Sequence, residues 1–107
     1  INQHNLKNII LIVDRNSFGI LGHTEEMIKL EPIEEKFRAF GIETSSIDGH
    51  DFRALRAFFS SSYERPHAII ANTVKGKGVS FMENKYEYHT IIPNNPEQIA
   101  IGLKELS

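Results

Sequence analysis

Asp14-Arg15-Asn16 is the first place where this sequence could do chemistry. An Asn carbonyl oxygen and a backbone carbonyl are hard ligands suited to Mg²⁺ or Ca²⁺. The apolar run Ile9-Ile10-Leu11-Ile12-Val13 stops abruptly at these residues, and in open α/β sheets ligands bind beyond the carboxyl ends of such strands. The plainer reading is that Asp14 and Asn16 satisfy a strand-to-helix turn, which Asx side chains commonly do. Lys75-Gly76-Lys77-Gly78 is the second such place. Its glycines would let a backbone approach a ligand closely, and its lysines suit phosphate. The six-residue glycine spacing and Lys-Ser/Thr ending of a P-loop are missing, so pattern alone favours a glycine-rich turn with solvated lysines. The histidines are His4, His23, His50, His67 and His89, and none has the i, i+4 spacing of a zinc helix. His50 lies at a strand-to-helix turn and His89 follows Tyr86-Glu87-Tyr88. A lone His is more often structural than catalytic, and spacing supports no Ser-His-Asp or paired-carboxylate arrangement.

The elements that must position these residues follow an alternating grammar. Asn8 to Asp14 reads as a buried strand of a parallel sheet. Arg15 to Leu30 is a long connection, and connections of that length without structure of their own are usually functional or disordered. Ser17-Phe18-Gly19-Ile20-Leu21-Gly22 is too apolar for disorder and is expected to pack on a surface or a partner. A helix starts at Pro32, with Glu31, Glu34 and Glu35 complementing its positive dipole end, and buries Ile33, Phe37 and Phe40. Ile42 to Asp48 is a more polar strand nearer the sheet edge. Asp51 is an N-cap for a helix that buries Phe52, Leu55 and Phe59 and is broken at Arg65-Pro66. His67 to Thr73 is the third strand. Asn95-Pro96-Glu97-Gln98 opens a last helix with Ile99, Leu103 and Leu106 buried. The pattern predicts an α/β fold, a parallel sheet with flanking helices. A sheet this narrow leaves open edges, so it reads as part of a larger one.

Composition narrows the function classes. The 107 residues suffice for one domain, and 40% hydrophobic with 24% charged residues is an ordinary globular balance. A net charge of -2 gives no electrostatic case for nucleic acid or an anionic membrane. The absence of cysteine removes disulfides and thiolate metal sites and fits a cytoplasmic location. No apolar run approaches the ~20 residues of a membrane span. The sequence does not begin with Met, which points to a processed, trimmed or partial product.

Three stretches together resemble the N-terminal, diphosphate-binding module of transketolase. They are Asn8 to Asn16, Ile47-Asp48-Gly49-His50-Asp51, and Thr73-Val74-Lys75-Gly76-Lys77-Gly78-Val79-Ser80-Phe81-Met82-Glu83-Asn84. Thr24-Glu25-Glu26 and Phe37-Arg38-Ala39-Phe40-Gly41 also fit, so the resemblance runs over nearly the whole chain. The wording around Lys75 is most similar to the split transketolases, in which separate polypeptides replace one long one. The resemblance implies the C-terminal part of a thiamine-diphosphate-binding fold, with residues 1–107 forming part of the diphosphate-binding module. The module's upstream Gly-Asp-Gly segment and the pyrimidine-binding module would lie outside this stretch.

It further implies thiamine diphosphate with Mg²⁺ or Ca²⁺. Asn16 and the backbone carbonyl of Phe18 would be metal ligands and would help bind the cofactor. Ile20 would touch the thiazolium ring, and His89 would match the active-site histidine near the diphosphate, although Thr90 follows it where the family has Gly. The implied activity moves a two-carbon ketol unit between sugar phosphates, and the lone stretch would be inactive. Implied partners are the remaining transketolase segments or a pyrimidine-binding subunit, in a homodimer or heterotetramer. The alternatives are a related thiamine-diphosphate enzyme acting on another sugar or a keto acid, a non-catalytic truncated module acting in assembly, and an unrelated nucleotide-binding α/β domain.

Overall fold

A computed structural model of the chain describes residues 1–4 and 6–107; Asn5 lies outside the described residues. The chain divides into two compact units. The first comprises residues 1–15 and 30–73, and the second residues 16–29 and 74–107.

The first unit is a three-stranded parallel sheet in the order β1-β3-β2, with β1 at Ile10–Arg15, β2 at Glu43–Asp48 and β3 at His67–Asn72. The α/β class and the parallel sheet are as the alternating pattern predicts. The buried strand, however, is not the one expected. β3 is covered on both faces, with Ala68 and Ile69 at 0% exposure, whereas Ile12 of β1 is 61% exposed. An apolar run cannot distinguish a central strand from an edge strand, and among these residues β1 is an edge. The polar β2 forms the other edge, as its composition suggests.

The helix α2 (Ile33–Ala39) follows Glu31 and Pro32, whose peptide bond is cis. Glu31 Oε2 accepts from the Ile33 N–H at 3.0 Å. Helix α3 (Phe52–Phe59) is capped as expected: Asp51 Oδ1 accepts from the N–H groups of Arg53 and Ala54 at 2.8 and 3.2 Å. Its buried residue is Phe58, not Phe52 or Phe59, which are 83% and 50% exposed. The Phe58 ring meets Tyr63 and His67 at centroid distances of 5.1 and 5.2 Å, and that cluster sets the rotation of the helix. Phe40, expected on the inner face of α2, is also exposed.

His67 is buried at the start of β3. Its Nε2 lies 2.9 Å from Ser45 Oγ, while Nδ1 has no hydrogen-bond partner among the described residues and lies 3.7 Å from Glu43 Oε2. Burial pushes the imidazole below its ordinary value, with the Glu43 carboxylate acting against that shift. At a pH above the ordinary value of 6.5, both the folded and unfolded chains carry a neutral His67. As pH falls through that value, the unfolded chain takes up a proton that the folded chain resists, so stability declines until the lower folded value is passed. Urea midpoints should therefore drop between about pH 7.5 and pH 5.5, and His67→Phe should flatten that slope. An unchanged slope in the variant would show that His67 is not the source.

In the second unit, α1 (Thr24–Met27) gives structure to the connection expected to have none. Helix α4 (Pro96–Glu105) opens on Asn95, whose Oδ1 accepts from the Glu97 N–H at 2.9 Å. Its buried residue is Gly102, where an added Cβ would sit 3.6 Å from Val79 and 3.7 Å from Phe81. Ile99, Leu103 and Leu106, expected to be buried, instead border an open groove of about 250 Å³. Among the described residues, no helix is long and apolar enough to cross a membrane.

Candidate functional site

Asn16 follows directly on β1 and begins a tight reversal. Its Oδ1 accepts from the Phe18 N–H at 3.0 Å, an Asx turn that closes over Ser17. Ser17 sits in the left-handed region at φ 67°, a conformation that costs a non-glycine residue about 1–3 kcal/mol unless its surroundings enforce it. The surroundings do so here. The Ser17 carbonyl accepts from the Thr24 N–H at 2.9 Å, and the Gly19 N–H donates to the Gly22 carbonyl at 2.8 Å. These bonds flank an antiparallel bridge between Phe18 and His23. In such a non-hydrogen-bonded pair, each residue's own N–H and C=O point away from the partner strand. The Phe18 carbonyl is therefore directed to the same edge as the Phe18 N–H, the edge on which Asn16 Oδ1 lies. The Phe18 and His23 rings pack 4.3 Å apart on this turn. Ile20 and Leu21 stand at its tip, 57% and 79% exposed.

The strand ends of the first unit are held by side chains and turn amides that bond to one another. The Thr73 hydroxyl donates to the Asp14 carboxylate, and the Thr73 N–H donates to the Arg15 carbonyl at 3.3 Å. Arg15 is buried, and its guanidinium donates to Glu31. The Ile33 N–H and that guanidinium hold the Glu31 carboxyl below the usual carboxylate range. At the Gly49 turn, the Gly49 N–H donates to the Asn72 carbonyl at 2.7 Å and the His50 N–H to Asp48 Oδ1 at 2.8 Å. A Cβ at Gly49 would collide with the Thr73 methyl, so this turn takes glycine for close approach.

The glycine-rich loop is closed by its own neighbours. Asn84 N–H donates to the Lys75 carbonyl at 2.9 Å, Gly78 N–H donates to Glu83 Oε1 at 3.0 Å, and Lys77 Nζ lies 3.8 Å from the same oxygen. Gly76 has φ 72°, and an added Cβ there would lie 2.5 Å from the Met82 carbonyl oxygen. The loop is thus a compact turn, as its pattern suggests, and Glu83 is the closing residue that pattern did not reveal. His89 ends the 3₁₀ segment Tyr86–His89 and is exposed. Asn16, Phe18, Ile20 and His89 all fall within the second unit, while His50 falls within the first.

A family model described as transketolase, thiamine diphosphate binding domain, matches residues 2–101. The chain belongs to the transketolase family. An apulose-4-phosphate transketolase subunit from Actinobacillus succinogenes is 36% identical over 106 residues, covering 97% of this chain and 38% of that protein. The 6-deoxy-6-sulfo-D-fructose transketolase subunit SqwG of a Clostridium species is 39% identical over 89 residues, covering 80% of this chain and 32% of that protein. The crystal structure of transketolase from Campylobacter jejuni superposes with a TM-score of 0.80 at 33% identity, over 96% of this chain and 16% of that one. The chain therefore spans well under half the length of these relatives, and its fold is one found in a solved transketolase.

Whether the residues here suit a diphosphate-bridging cation can be asked of their chemistry. Asn16 Oδ1 gives one lone pair to the Phe18 N–H and has a second. Together with the Phe18 carbonyl it offers neutral oxygens on one edge, the donor type that Mg²⁺ and Ca²⁺ take. Among the described residues, no group of three or more His, Cys, Asp or Glu could hold a metal. These oxygens are of a type that would suit such a cation as part of its shell, which other donors would have to complete.

Proposed function

We propose that these residues form part of the diphosphate-binding module of a thiamine-diphosphate-dependent transketolase that moves a two-carbon ketol unit between sugar phosphates. The observation that carries this reading is the Asn16 turn, directly after β1 in sequence, in which the side-chain oxygen and the Phe18 carbonyl share one edge. Asn16 and the Phe18 carbonyl would hold Mg²⁺, or Ca²⁺, against the cofactor's diphosphate. Bound thiamine diphosphate supplies the electron sink needed to break a carbon–carbon bond beside a carbonyl. The chain's own part is to position and to exclude. The tip residue Ile20 offers an apolar surface for the thiazolium ring and keeps water from it. His89, which is exposed, would donate to a phosphate oxygen or carry a proton at the substrate's reacting end.

The relatives' names support two refinements. Both are subunits, so this chain is read as working with a separate polypeptide or further segments that bind the pyrimidine, in a homodimer or heterotetramer. Both also act on less common sugars, which favours a substrate other than a familiar ketose phosphate. With no cysteine and no candidate membrane helix among the described residues, a cytoplasmic site of action fits. The decisive test is a ketol-transfer assay with thiamine diphosphate and Mg²⁺. The complete protein with its companion polypeptide should transfer a ketol unit from a ketose phosphate, apulose 4-phosphate included, and residues 1–107 alone should not. Turnover by the lone stretch, or failure of the complete assembly on every ketose tried, would refute the reading.

A further inference from the structure

The segment that carries Asn16, Phe18 and Ile20 leaves the first unit after Arg15 and rejoins it at Leu30. Arg15 and Glu31 stand at its two ends, 16 residues apart in sequence. Arg15 Nε and Nη2 both donate to Glu31 Oε1 at 3.0 Å, and Glu31 Oε2 accepts from the Ile33 N–H at 3.0 Å. One carboxylate therefore ties the last residue of β1 to the first turn of α2. The Arg15 side chain is only 9% exposed, against 50% for Glu31. An exposed ion pair contributes little. A guanidinium this buried is different, because losing the Glu31 carboxylate takes an ion-pair partner from a charge already withdrawn from water. The Arg15 backbone is separately braced through its carbonyl by Thr73, so its side chain is not needed to hold β1 in register.

We propose that the Arg15–Glu31 pair is a clasp that fixes the base of the segment 16–29, making both residues positioning residues for the cofactor ligands on it. This rests on the reading of Asn16 given above. A clasp of this kind settles the loop's closure entropy during folding, so that the cofactor meets a turn already in place. Arg15 faces Glu31, and its influence on the ligands passes through the backbone of Asn16.

The test uses the complete assembled enzyme. Glu31→Gln keeps an oxygen for the Ile33 N–H and removes the ion pair; Arg15→Met keeps the buried stem and removes the charge. Both should accelerate amide hydrogen exchange in residues 16–29 by about tenfold while leaving residues 67–72 unchanged. Both should also raise the thiamine diphosphate concentration for half-saturation, at fixed Mg²⁺, by about tenfold, the lower end of what losing an outer-shell partner costs. Turnover at saturating cofactor should stay within about twofold of the parent. The double variant should be no worse than either single one, as expected for groups that act as one unit. Unchanged exchange in Glu31→Gln, or acceleration that spreads through β3, overturns the clasp whatever Asn16 does. Unchanged cofactor binding in Asn16→Ala overturns the reading of the site whatever the exchange shows.

Discussion

Replacing Asn16 with Ala should weaken thiamine diphosphate binding, in the presence of Mg²⁺, by on the order of a hundredfold, because a direct ligand should cost at least as much as the upper end of an outer-shell loss. The side chain has two tasks, and Ala can do neither. Its oxygen closes the turn over Ser17 by accepting from the Phe18 N–H, and in the proposed site the same oxygen would also bind the cation. Asn16→Asp separates the tasks: it keeps an acceptor for the turn and gives the cation a charged oxygen, so binding should survive. Calorimetric titration of the assembled protein reads both. An Asn16→Ala protein that binds within about threefold of the parent would remove Asn16 from the shell.

Ile69→Ala should be the most damaging single truncation in the sheet, costing about 2–5 kcal/mol. Ile69 is fully buried on the central strand, in register with Ile12 on one side and Ser45 on the other. Small domains hold roughly 5–15 kcal/mol in total, so this loss approaches the whole margin and should lower the urea midpoint by about 1 M or more. Ile12→Ala removes the same atoms from a neighbour that is 61% exposed and should cost much less in the 107-residue chain. Equal costs for the two in that chain would mean that β3 is not where the sheet's stability resides.

The fold was legible where local rules decide it. Asp51 and Asn95 cap their helices as their types require, and the alternation of apolar runs with helical stretches yields the parallel sheet. It was illegible where tertiary contact chooses among equivalent options. An eight-residue helix with Phe52, Leu55, Phe58 and Phe59 offers several apolar faces, and the rings of Tyr63 and His67 select the one containing Phe58. α4 likewise approaches Val79 and Phe81 through Gly102, where there is no side chain for periodicity to register. At the candidate site, the Asn16 turn was legible because an Asx side chain closes it on the Phe18 N–H, two residues on. The Arg15–Glu31 pair could not, since each residue taken singly has an ordinary surface explanation.

The strand order also governs how the chain is made. β3 is the central strand yet the last of the three in sequence, so β1 and β2 lack the neighbour they share until residues 67–72 have been synthesised. Ile10 waits for His67, and at ~5–20 residues per second that interval is roughly 3–11 seconds. Throughout it, Ile10-Leu11-Ile12-Val13 is a nascent apolar segment without its β3 partner, and therefore a natural station for a ribosome-associated chaperone. A synonymous slowdown placed between β1 and β3 should lengthen that exposure and lower the soluble yield without altering one residue of the product.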